Sequence, residues 1–193
     1  MHDVSLGIII RDYLTGEEIE NTTFEDLRQA LAKLLVEELG YPRQRLKARV
    51  PVTIPVKGED YTRLADLVAY GDGGEPLLLI MFCAGDVTTY ERESLAAARL
   101  FAGGPVPLVA VTDTKDAVLL ATKGGDRLGQ GMRAIPAWKD LTALAAAHPM
   151  GPLSEEHAER ECRILYAYTE TLYKCCSFAA CAVEAKGGGF AKK

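Results

Sequence analysis

The chain has 193 residues, 48% hydrophobic and 25% charged, which suits one domain with an elaboration and a core that needs neither metal nor disulfide. A formal charge of −5 argues against a generally basic nucleic-acid binder and leaves room only for a local basic patch. No run approaches the about 18 apolar residues of a membrane span, and MHDVSLGIII carries Asp3 without a basic start, so the expectation is a cytoplasmic protein with no membrane role.

In chain order, LGIII followed by RDYLTGEEIE, with a turn at Thr15-Gly16, predicts a small hairpin or arm over residues 1–20. NTTFEDLRQALAKLLVEELGYP predicts a helix. Thr22 or Thr23 is its N-cap, Glu25 and Asp26 lie in its first turn, and Leu27, Leu31, Leu34, Leu35 and Leu39 form its apolar stripe. Gly40 and Pro42 end it. LKARVPVTIPVKG alternates like a half-buried strand, and Pro51 and Pro55 make it an edge.

RLADLVAYG is a second strand, GDGGEP a turn, and LLLIMFC a third strand, apolar throughout and therefore central. Residues 88–102 read as a helix, VPLVAVTD as a fourth strand, and DAVLLATKGG as a fifth strand paired with it in a hairpin. A short helix follows from about Pro136, then a longer one from Ser154 with Glu155 and Glu156 in its first turn. The tail beyond Glu184 reads as loose. The order implies an α/β fold with a mixed sheet flanked by helices, a core over 21–135 and a helical extension over 136–193.

Asp66 stands out among the chemical side chains. A carboxylate inside RLADLVAY costs several kcal/mol if buried alone, so it needs a partner, a metal or an opening in the sheet. A structural ion pair with Arg28 or Arg99 is the ordinary resolution. Arg63 points to the opposite face, because strand side chains alternate. Glu25 alone reads as a solvated first-turn acid.

In combination, DYLTGEEIENTTFEDLRQALAKLLVEELGYP, RLADLVAY, GEPLLLI, TTYERESLAAARLF and VPLVAVTD resemble the N-terminal nuclease-like domain of type I restriction enzyme restriction subunits, over roughly residues 11–135. The parent class is the PD-(D/E)xK nucleases, and the resemblance implies a restriction-endonuclease-like core of helix, three-strand meander, helix and strand. It also implies a site in which a helix glutamate, a strand aspartate and a Glu-x-Lys pair hold Mg²⁺ or Mn²⁺ for phosphodiester hydrolysis. By motif, Glu25 and Asp66 match the first two, with Asp66 the metal ligand, while the Glu-x-Lys positions fall on Met81 and Cys83. Thioether and thiol sulfur are soft and do not suit Mg²⁺, and neither side chain supplies a lysine's charge.

The resemblance therefore implies a degenerate nuclease-like protein acting in binding or assembly, with no cofactor expected. A rival reading is an active metal-dependent DNA endonuclease that uses Mg²⁺ or Mn²⁺ and takes a relocated ligand from Asp86, Glu91 or Glu93, which otherwise read as helix-start acids in water. A third is a partner-binding or homo-oligomeric protein using the apolar stripe of residues 157–176. For nucleic acid, Arg43, Arg45, Lys47 and Arg49 form the basic cluster. Period 2 would set Arg45, Lys47 and Arg49 on one strand face, as a phosphate-contacting stripe or as a charged edge that deters strand pairing.

The five cysteines, Cys83, Cys162, Cys175, Cys176 and Cys181, are odd in number and form no CxxC motif. Buried thiols in a reduced compartment are the default reading, with a zinc site from His157, Cys162, Cys175 and Cys181 as the alternative. Cys83 has no histidine near it in sequence, which favours an inert thiol over a nucleophile.

Overall fold

Helix α1 (Glu25–Lys33) opens the core in a computed structural model that describes residues 5–56, 58–83 and 85–177, with backbone only for 169–177. Its apolar stripe buries Leu31 and Ala32, and Leu35 follows in a π-turn over Leu34–Glu38 that widens the last turn. Gly40, at φ +75°, turns the chain out, as the sequence predicts. The N-cap position falls on neither predicted threonine. The N-cap is Phe24, with no side-chain cap bond, because Thr22 is already paired with Ser5 in the preceding hairpin. That hairpin, β1 (Ser5–Arg11) and β2 (Glu18–Thr22), forms its own antiparallel sheet.

The main sheet has six strands in sequential order: β3 (Leu46–Val56), β4 (Glu59–Tyr70), β5 (Pro76–Phe82), β6 (Leu108–Thr112), β7 (Ala117–Ala121) and β8 (Arg127–Gln130). Only β5 and β6 run parallel, joined by the crossover helix α2 (Glu91–Arg99), so the sheet is mixed as predicted. The apolar β5 is an inner strand and β3 an edge. β8 is absent from the sequence reading. It has four residues, partly exposed, with a glycine among them, and lacks both alternation and β-branched side chains.

Two packed layers flank the sheet. Leu31, Ala32 and Leu35 of the α1 region and Leu141 and Ala145 of α3 (Trp138–Ala147) cover one face. Leu95, Ala96, Ala97 and Ala98 of α2 and Leu165 of α4 (Glu155–Ser177) cover the other. Helix α4 is clamped to α2 by Glu161, which accepts two hydrogen bonds from Arg92 (2.7 and 2.9 Å) and one from Arg99 (3.1 Å). Tyr61 and Tyr166 meet edge-on at 5.3 Å. In the described part of the 157–176 stripe Leu165 is fully buried within the chain, whereas Tyr168 stays 37% exposed. Of the predicted zinc set, the side chains of Cys175 and Cys181 lie outside the described residues, His157 is exposed, and Cys162 is a free thiol.

The sheet carries one irregularity that shapes the site. Ala48 and Val50 are two residues apart on β3 yet pack on opposite faces, and Leu67 and Ala65 on β4 do the same. Between them Arg49, at φ +54°, sits across from Asp66, while the pairs Ala48–Leu67 and Val50–Ala65 keep register. Both strands turn over at this point, breaking the period-2 rule. The predicted single face of Arg45, Lys47 and Arg49 therefore does not form: Arg45 belongs to a 3₁₀ turn before β3, and Arg49 is the residue at which the strand turns over.

Candidate functional site

The ladder between β4 and β5 stops at Leu67–Ile80. Beyond it the strands fork: β4 continues with β3, and Met81 and Phe82 continue with β6. The fork leaves the Phe82 N–H without a partner on β4, and Asp66 Oδ2 accepts it at 2.8 Å. Asp66 is 9% exposed. Its Oδ1 accepts from Arg28 Nε and Nη2, both at 3.3 Å.

Arg28 comes from α1, three residues after Glu25, on the same helix face. It also donates Nη1 to Glu25 Oε2, and Arg49 Nη2 lies 2.9 Å from that oxygen. Glu25 Oε1 accepts from Gln29 Nε2 at 2.8 Å. Glu25 is 1% exposed, so the expectation of a solvated first-turn acid is wrong. The turnover of β3 delivers Arg49 to it, and Phe24 stacks near Phe82 at 5.6 Å over the fork.

The structure thus brings together Glu25 and Asp66, two positions matched by motif, with two arginines that balance their charge. Gln29 extends the network, donating to Asp12 Oδ2 at 2.9 Å. Burial opposes ionisation of Asp12, but hydrogen bonds from Gln29, Thr15 and Leu14 outweigh it and hold its carboxyl below the ordinary value. Sequence reasoning named Arg28 as a partner for Asp66 and missed its second carboxylate, Glu25. The i, i+3 spacing of Glu25 and Arg28 was the available signal.

Met81 and Cys83 are 1% and 0% exposed and pack in the layer beneath α2. Burial, followed by the nearby charges of Asp113, Asp86 and Asp66, pushes the Cys83 thiol up to about 12, so it stays protonated at neutral pH.

The three acids after β5 have separate fates. Asp86 is exposed and accepts from Thr88 N at 2.8 Å, opening the 3₁₀ turn before α2. Glu91 pairs with Arg127 at 2.8 Å. Glu93 is fully buried, with Oε1 2.7 Å from Arg63 Nε, so it is not an acid in water. Arg63 points to α2 and Asp66 to α1, which agrees with strand alternation.

A divalent cation fits these side chains poorly. All four carboxylate oxygens of Glu25 and Asp66 already accept from arginine, glutamine or backbone N–H groups. Among the described residues, no three His, Cys, Asp or Glu side chains are grouped to hold a metal ion.

The four predicted nucleic-acid residues all have partners inside the chain. Arg45 binds the Gly71 carbonyl and Asp72 carboxylate, both at 2.9 Å. Arg43 lies 4.3 Å from the Tyr13 ring centre, Lys47 4.9 Å from that of Tyr70, and Arg49 is on Glu25. No helix among the described residues is long and apolar enough to cross a membrane.

Neither a curated protein nor a solved structure matches the chain. Residues 24–136 match the family model described as the type I restriction enzyme R protein N terminus, a span that holds α1, the six-stranded sheet and the Glu25–Asp66 pair, and the chain belongs to that family.

Proposed function

We propose that this chain is a nuclease-fold domain that does not hydrolyse DNA and acts in binding or assembly. One observation carries the reading: Arg28 lies between Glu25 and Asp66, while the next strand offers buried Met81 and Cys83. Metal-assisted hydrolysis needs hard, available oxygen ligands and a group that orients water. Here the oxygens are engaged by protein donors, and the neighbouring side chains are soft and sequestered.

Membership in a restriction-enzyme family makes DNA and protein subunits the natural partner classes. Arg43, Lys47 and Arg49 are exposed, but each of the four cations leans on a different group of the chain and they form no single strand face, which favours assembly over DNA capture through that cluster.

The test is cleavage of plasmid and single-stranded DNA with Mg²⁺ and with Mn²⁺, comparing wild type with Asp66→Ala. No cutting, or equal cutting by both proteins, is the expected result. Cutting that disappears in the variant would establish an active endonuclease. DNA affinity measured across a salt series separates the partner classes, because phosphate contacts make binding fall steeply with salt.

A further inference from the structure

A cleft of about 470 Å³ is lined by Val50 and Pro51 of β3, Tyr70 of β4, Glu75 and Pro76 at the start of β5, and Phe101 just after α2. Its size falls within the roughly 300–1,000 Å³ of small-ligand sites. Val50, Tyr70 and Phe101 belong to the layer under α2, whereas Asp66 turns to α1, so the cleft is separate from the Glu25–Asp66 pair. Its walls are apolar and aromatic. Among the described residues, Glu75 is the one charged side chain that lines it.

The β4–β5 turn sets the Tyr70 ring and the Glu75 carboxylate at the same end of the cleft. Tyr70 pairs with Pro76 across the turn, and the Gly71 N–H donates to the Glu75 carbonyl at 2.8 Å. A Cβ at Gly71 would collide with Glu75 Oε1, and one at Gly73 would come within 2.7 Å of Oε2. The two glycines therefore make room for the carboxylate over the turn.

The charges around the turn leave this carboxylate over. Arg45 is engaged by the Gly71 carbonyl and the Asp72 carboxylate, both at 2.9 Å, and Lys47 lies 4.9 Å from the Tyr70 ring centre. The exposed Glu75 side chain has no hydrogen bond or ion pair among the described residues. What matches an aromatic ring and an unpaired carboxylate in an apolar cleft is a flat cation on an aliphatic stem. A guanidinium stacks on an aromatic face and forks onto a carboxylate, while its stem lies along apolar walls. An ammonium has no flat face and holds its water more strongly.

We propose that this cleft takes an arginine side chain of a partner polypeptide, with the guanidinium on Glu75 and Tyr70 and the stem against Phe101 and Pro76. The proposal goes beyond the reading of the Glu25–Asp66 pair and holds whether or not the chain cuts DNA.

The test is an NMR titration of the ¹⁵N-labelled full chain with Nα-acetyl-arginine amide, with its neutral isostere Nα-acetyl-citrulline amide and with butylguanidine. The arginine probe is expected to shift the amides of Gly73, Gly74 and Gly103 saturably, with a dissociation constant in the millimolar range. The citrulline probe binds about tenfold more weakly or less, because it lacks the charge that Glu75 meets. Glu75→Gln, whose spectrum away from the cleft shows that it folds, loses the preference for arginine over citrulline.

No saturable shift at these amides would overturn the proposal. Equal affinity for the two capped probes would overturn it in favour of a purely apolar site. An arginine preference that survives Glu75→Gln would overturn the assignment of the cation to Glu75. Tighter binding of butylguanidine than of the capped arginine would overturn the polypeptide source in favour of a free small cation.

Discussion

Arg28 and Asp66, 38 residues apart, are joined by two 3.3 Å hydrogen bonds onto one carboxylate oxygen, and the other end of the same guanidinium lies on Glu25. Two buried negative charges on different elements thus share one buried positive charge, with Arg49 completing the balance. Removing the shared cation leaves Asp66 with the Phe82 N–H as its one remaining donor among the described residues and leaves Glu25 to Arg49 and Gln29, so a buried negative charge loses its counter-ion.

Arg28→Met should therefore cost about 3–5 kcal/mol, the range for breaking a buried ion pair on one side. Urea denaturation measures it as a lower midpoint. The triple variant R28M/E25Q/D66N should recover part of the loss, because it removes the stranded charges as well. Equal midpoints for the single and triple variants would mean that Arg28 acts through packing alone.

Asp66 has a second duty at the fork, where it replaces a missing rung of the β4–β5 ladder. Asp66→Ala leaves the buried Phe82 N–H unpaired, at a cost of about 1–3 kcal/mol. Hydrogen exchange at the Phe82 amide reads this directly. Exchange should be slow in wild type, slow or intermediate in Asp66→Asn, which keeps an acceptor oxygen, and fast in Asp66→Ala.

The clamp between α2 and α4 predicts a dependence on acidity. Burial disfavours the charged form of Glu161, but Arg92 and Arg99 outweigh it and hold its carboxyl below the ordinary value of 4.5. A lowered folded-state value means that this stability is present above the unfolded-state value and is lost as pH falls through the folded one. The urea midpoint should decline on acidification from about pH 7 to about pH 3, and more steeply in wild type than in Glu161→Gln. At about pH 7 the variant should be less stable by about 1–3 kcal/mol, a range discounted for the partial exposure of Arg92.

Cys83 should be chemically silent in the folded protein. It is fully buried and its thiol is pushed up to about 12. Iodoacetamide at about pH 8, followed by peptide mass spectrometry, should leave Cys83 unlabelled in native protein and labelled in urea. Labelling in the native state would show that the end of β5 opens to solvent.

Reading the site from sequence worked where position along an element decided the outcome. Asp66 demanded a partner because a carboxylate inside a strand is costly, and Arg28 was among the two named. Glu25 and Glu93 were misread for a shared reason. Helix starts usually face water, and nothing local reveals that Arg49 arrives from a strand that turns over or that Arg63 reaches across from β4. The shared face expected of the basic cluster is lost for the same reason. Spacing set Arg45, Lys47 and Arg49 on one face, but Asp72, Tyr70 and Glu25 drew each to its own partner.

The sequence by itself determined the succession of elements, because period, turn glycines and prolines act over a few residues. Leu31 and Leu35 line one helix face, Gly40 stops the helix, and the apolar run of β5 selects an inner strand. It also determined that sulfur side chains stand at Met81 and Cys83. Only the tertiary structure decided that Asp66 caps the strand fork and that one arginine unites two carboxylates. It alone decided that β1 keeps an open apolar edge. These outcomes depend on contacts between residues far apart in the chain, where the electrostatics of a buried charge and the geometry of a bent sheet override local propensity.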